Sequence, residues 1–153
     1  MNAKNDLEKI RQDMAPGCIS ADGFLGSDSR SLSEIISDDA AEMKRFDADP
    51  ARIARRMTEL RDAGARGLGA VVSVPPGLEV RVESDRGCIS CPFGHEGVFP
   101  KTNITVRNMK TGREVVFSDL NIHMMKEHGF CEGRGSAYRQ EPAVLVDVLA
   151  CQT

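Results

Sequence analysis

Asn103-Ile104-Thr105-Val106-Arg107-Asn108, then Lys110-Thr111-Gly112, then Arg113-Glu114-Val115-Val116-Phe117 read as one β-hairpin. Ile104 and Val106 alternate with polar neighbours, the period of a strand with one wet face. Lys110-Thr111-Gly112 is the turn, so Val115 and Phe117 are expected to share the buried face with Ile104 and Val106. Upstream, Leu78, Val80 and Val82 alternate with Glu79, Arg81 and Glu83. Pro75-Pro76-Gly77 turns the chain just before them, and Ala70 to Val74 is the expected partner strand. Two hairpins thus make the β part of the fold.

Helical spacing surrounds them. Leu7, Ile10 and Met14 share a face of a first helix that begins near Asn5 or Asp6 and stops at Pro16-Gly17. Ser31-Leu32-Ser33-Glu34 matches a capping box, followed by Ile35, Ile36, Ala40 and Met43 at helical spacing. Asp49-Pro50 opens a third helix as N-cap and first-turn proline, Ile53, Met57 and Leu60 form its buried stripe, and Gly64 is the expected terminator. Ser118 caps a helix running to His128, which Gly129 ends; Pro142 opens a last helix with Val144, Leu145, Val148 and Leu149. The fold class is α+β: N-terminal helices, two hairpins and a knuckle–hairpin–helix module. The expected division is residues 1–86, a helical region with a hairpin, and 87–153, a metal-stapled module with the C-terminal helix, the two forming one compact unit.

Composition limits the function classes. The 153 residues are 41% hydrophobic and 28% charged with net charge −3, too apolar and too nearly neutral for a disordered chain. No apolar run approaches the roughly 20 residues of a membrane span. The opening residues have no apolar stretch after their charges, so no secretory signal is expected and the expected compartment is the cytoplasm. Five Cys beside three His then argue for metal ligands, reactive thiols or small buried residues rather than a disulfide framework.

Cys88-Ile89-Ser90-Cys91 spaces two thiols as one tight turn requires to aim both at one ion. His123 and His128 end a helix with four residues between them. The pattern C-x2-C and H-x4-H fits tetrahedral zinc, for which thiolate and imidazole are suited donors. Two thiolates would also cancel the charge of the ion, so that such a site can be buried. His95 and Cys131 stand at workable spacings and can replace one of the four, while Cys18 and Cys151 are expected to pack.

In Cys88, Cys91, His123 and His128 the segment 87–130 resembles a C2H2-type zinc finger. The resemblance implies a structural zinc held between a knuckle, a hairpin and a helix. It departs from the DNA-reading finger in its insertion: 31 residues separate Cys91 from His123, against about 12 in that family. The order knuckle, hairpin, helix is similar to a treble clef. Metal binding carries over; DNA reading does not.

A protein is the expected partner of such a zinc-supported surface. Nucleic acid has weak support, because Arg52, Arg55, Arg56 and Arg61 are interrupted by Glu59 and Asp62 and no region is strongly basic; no membrane partner is expected. The alternative is a zinc-dependent hydrolase-like enzyme with Glu127 as general base, although the spacing His123-x3-Glu127-His128 matches no zinc-protease motif. Gly129 to Arg139, rich in glycine and with two arginines, reads first as a loop wrapping beside the metal site, and second as an anion cradle.

Overall fold

The computed structural model describes residues 3–149; Cys151 lies outside them. Five helices and four strands follow in the order α1 (Ala3–Asp13), α2 (Leu32–Arg45), α3 (Pro50–Ala65), β1 (Val72–Val74), β2 (Leu78–Ser90), β3 (Val98–Asn108), β4 (Glu114–Phe117), α4 (Asp119–His128) and α5 (Pro142–Leu149). The strands form one antiparallel sheet in the order β1-β2-β3-β4. The fold class is α+β, and the two expected hairpins are joined into this sheet by the pairing of β2 with β3.

That central pair is longer than the alternation suggested. Leu78 to Ser84 pair with Asn108 to Thr102; after an irregularity, Cys88 to Ser90 pair with Pro100 to Val98. The second stretch mixes Gly87, Cys88, Ser90 and Pro100 and lacks the apolar period, so only backbone pairing reveals it as strand. β2 consequently runs across residues 86 and 87, where the division of the chain was expected.

Local chemistry places the helices much as their caps dictate. The Ser31 hydroxyl accepts from Glu34 N–H at 3.2 Å, and the Asp49 carboxylate from Arg52 N–H at 2.9 Å. Gly64 does not end α3, which continues to Ala65. It is where the helix meets the sheet: a Cβ there would stand 2.5 Å from Val80 Cγ1 and 2.9 Å from Val82 Cγ2. Close approach, and not termination, is what requires glycine.

The apolar side chains collect in two cores. The main one joins Met43, Ile53, Met57 and Leu60 to Leu78, Val80, Ile104, Val106 and Phe117 of the sheet, and to Leu145, Val148 and Leu149 of α5. The second gathers Met14, Phe24, Leu25, Leu32, Ile35, Cys91, Leu120, Met124 and Phe130. Helix α4 feeds both, with Ile122 and Met125 in the first and Leu120 and Met124 in the second.

Segment 129–139 wraps against the loop after α1. Gly133 N–H donates to Phe24 O at 2.8 Å, Ser27 N–H to Arg134 O at 3.0 Å, and Arg134 N–H to an Asp28 carboxylate oxygen at 3.1 Å. These N–H groups serve the packing of two chain segments. Arg139 closes the wrap with a forked ion pair to Asp39 of α2, at 2.6 and 2.7 Å, both side chains almost wholly buried. Among the described residues no helix is long and apolar enough to cross a membrane.

Candidate metal centre

Strand β2 ends at Ser90, and residues 91–97 form the loop that returns the chain to β3. Gly94 and Gly97 adopt positive φ there, +85° and +94°, which L side chains rarely accept. The loop carries Cys91 inward and His95 outward, over the C-terminal half of α4. Cys91 joins the second core, which anchors one end of the loop by burial.

Helix α4 supplies the remaining donors. Its start is fixed by a reciprocal cap, with Ser118 accepting from Asn121 N–H and the Asn121 side chain accepting from Ser118 N–H. Its end is left-handed at Gly129, φ +62°. Gly129 N–H donates to Met125 O, and Phe130 N–H reaches back six residues to Met124 O, a wider closure than an α-helical bond. Residues five apart on a helix are turned by roughly 140°, and α4 keeps its helical form through His128, so His123 and His128 converge through their side chains and not through a loosened last turn. Their ring centroids lie 5.5 Å apart.

One donor atom each from Cys91, His95, His123 and His128 lies within 4.8 Å of all the others, an arrangement able to hold a metal ion. His95 Nδ1 stands 3.1 Å from His123 Nε2, and Cys91 Sγ 3.6 Å from His128 Nε2. Phe93 stacks on His128 at 3.9 Å between centroids and 10° between planes, and Phe99 lies 4.5 Å from the ring of His123. These two phenyl rings pack against the imidazoles and narrow the ring orientations open to them.

The electrostatics leave the donors ready for a cation. Burial, then the neighbouring His95, holds His123 below its ordinary value. Burial, then His95 and His123, pushes His128 down to about 4, against the opposing pull of Glu127. Both imidazoles therefore keep a free lone pair at neutral pH. Burial raises the Cys91 thiol, while the backbone N–H groups of Phe93 and His95 favour its thiolate. A metal cation, if bound there, would supply the remaining stabilisation of that thiolate.

The group differs from the expected set in one member. Cys88 is exposed on β2, where it pairs across the sheet with Pro100, and is not among the converging donors. A strand points residues three apart to opposite faces, so the C-x2-C spacing aims both sulfurs at one ion only in a turn; here the turn begins at Cys91. His95, the reserve at C-x3-H spacing from Cys91, is the fourth converging donor. Cys131 is fully buried near Met125 Sδ in the main core, and its thiol is pushed far up by burial. Cys18 does not pack: it is exposed after Pro16-Gly17, its Sγ 3.7 Å from Gln12 O.

With one thiolate and three neutral imidazoles, a divalent ion would leave the centre with one positive charge. The half-exposed position of His123 and His128 and the exposed position of His95 allow that charge to be solvated, which a buried site would not. The aromatic backing was not visible as such in the sequence. Its trace is Phe93 two residues before His95 and Phe99 in the strand that follows.

The chain matches no known protein family, no curated protein and no solved structure.

Proposed function

We propose that the protein is a zinc-binding protein in which Cys91, His95, His123 and His128 hold a structural ion that fixes loop 91–97 against α4. The observation that supports this most directly is the pair of donor separations. Zinc bonds of about 2.05 Å to nitrogen and about 2.3 Å to sulfur, at tetrahedral angles, give edges of about 3.3 Å between nitrogens and about 3.6 Å between sulfur and nitrogen. The separations of 3.1 and 3.6 Å lie near both. Four protein donors of this kind also suit a closed, structural zinc.

The fixed loop presents a surface for a protein partner. Val98, which follows the loop directly, is 61% exposed and adds an apolar side chain to that surface. Elemental analysis of protein purified without chelator should give about one zinc per chain, and X-ray absorption should give one sulfur and three nitrogen neighbours. A first shell with two sulfurs, or purified protein with neither zinc nor affinity for it, overturns the assignment.

The exposure of His95 favours one second reading. If His95 gives way to water, three protein donors and a bound water make a hydrolytic centre, with Glu127 as general base. Three protein neighbours plus one oxygen by absorption spectroscopy, with hydrolysis that Glu127→Gln abolishes, would establish it in place of the structural role.

A further inference from the structure

Near the N-terminal end of α4 lies a solvent-open cavity of about 260 Å³. Phe24 and Leu120 give it apolar walls, Glu132 and Tyr138 line it from the wrapping segment, and Asp22, Asp85 and Lys101 contribute its exposed charged residues. The cavity is just below the roughly 300 Å³ at which pockets for drug-sized ligands begin, so it suits a smaller molecule.

Glu132 distinguishes this cavity from a packing defect. It is 4% exposed and sits at φ +65°, a conformation that residues with a side chain rarely adopt. The surroundings hold it there: its carbonyl accepts from Arg139 Nη1 at 2.8 Å, and its carboxylate accepts from Asn121 Nδ2 at 2.7 Å and Ser136 Oγ at 3.1 Å.

Both carboxylate donors are neutral. The nearby guanidinium of Arg139 is committed to the carboxylates of Asp39 and Glu141. A carboxylate offers about four acceptor sites, so two remain beyond these bonds. Burial accordingly pushes Glu132 up to about 7. The exposed lining adds two carboxylates against one ammonium, so the balance around the opening is negative. A buried carboxyl that ionises only near pH 7 when the site is empty, held by neutral hydrogen-bond donors with spare acceptor capacity and an apolar wall beside it, is complementary to an alkyl chain whose cationic head stabilises the charged form.

We propose that this cavity binds a small organic ammonium ion, its charged head on the Glu132 carboxylate and its carbon chain against Phe24 and Leu120. Tyr138 donates a hydrogen bond to Asn103 Oδ1, which ties the wrapping segment to β3 at the same cavity. The proposal rests on residues outside the metal centre, so it stands or falls independently of the zinc assignment.

The test is titration of the full-length protein as purified, at about pH 8 where butylammonium is charged and the Glu132 carboxyl is mostly ionised, with n-butylammonium, and with butyrate and n-butanol as charge controls, followed by amide NMR. Butylammonium should shift the resonances of Phe24, Asn103, Glu132 and Gly133 saturably, while butyrate and butanol should not. Glu132→Gln should weaken binding about tenfold or more, as loss of a charge-assisted hydrogen bond requires. Because that variant disturbs a buried network, two exposed substitutions accompany it: Asp85→Asn should weaken butylammonium binding and Lys101→Met should strengthen it, each by a few-fold. No saturable shift with the wild-type chain, equal binding of butyrate, or unchanged affinity in a folded Glu132→Gln protein would each overturn the proposal.

Discussion

The two cores of this molecule are built on different principles. The main core is a sheet face covered by helices, and nearly every side chain in it comes from a strand or helix whose period places it there. The second core draws Phe24 and Leu25 from a loop, Cys91 from a turn and Phe130 from the residue after a helix cap, beside the more regular contributions of α1, α2 and α4. A periodic element positions its side chains by backbone hydrogen bonds alone. A core made largely of loop residues needs other ties, and here they are the Asp39–Arg139 ion pair and the bonds between segments 24–28 and 133–136, beside the four converging Cys and His side chains that could hold an ion.

The largest effect should come from the main core. Phe117 is fully buried, and Phe117→Ala should cost about 3–5 kcal/mol, read as a lower urea midpoint of the whole protein. A loss below about 1 kcal/mol would mean that the sheet core is less essential than its geometry implies.

His128→Ala addresses the other core. Zinc affinity should fall more than about a hundredfold, or about 2.7 kcal/mol, measured by competition with a chromophoric chelator. Hydrogen exchange should quicken in residues 91–97 and at the end of α4 while β2 and β3 near Val80 and Val106 stay protected. Equal loss of protection in both regions would erase the distinction between the cores.

Acidity offers a finer comparison in metal-free protein. His128 falls to about 4 from the usual 6.5, so the unfolded chain binds its proton more readily and stability drops as pH falls from 6.5 toward 4. Glu132 rises to about 7 from 4.5, so the folded chain binds its proton more readily. Its contribution is present below 4.5 and is lost as pH rises through 7. Between pH 4.5 and 6.5 the two slopes oppose each other. Glu132→Gln should therefore unmask a steeper loss of melting temperature on acidification over that range. An unaltered pH profile in this variant would show that burial at the two sites does not act on stability as described.

The smallest effect is expected at Cys88. Its exposed position on β2 predicts that Cys88→Ser changes stability by no more than about 0.5 kcal/mol and leaves zinc content unchanged. Loss of zinc in Cys88→Ser would restore the C-x2-C ligand pair.

This contrast also explains how much of the molecule is legible in its sequence. The helices around Ile35, Ile53 and Val144 and the strands around Val80, Ile104 and Phe117 announce themselves by period, and Ser31, Asp49, Ser118 and Gly129 by their caps. Three of the four converging donors, Cys91, His123 and His128, stand out by spacing. Cys88 misleads because the same spacing serves a turn or a strand, and only the pairing of β2 with β3 decides between them. Glu132 is silent in sequence: an acid among glycines resembles any surface loop until Phe24 and the Arg139 network close over it.

The mixed donor set leaves a mark on the stoichiometry of metal uptake. The depressed basicity of His123 and His128 means that these rings carry no proton to surrender near neutrality, whereas the Cys91 thiol does. Zinc binding at about pH 8, above the ordinary imidazole range, should then liberate about one hydrogen ion, where a site with two thiols would liberate about two. The heat of binding should accordingly vary with the ionisation enthalpy of the buffer with a slope near unity, so that calorimetry in a series of buffers counts the sulfur ligands without sight of the metal.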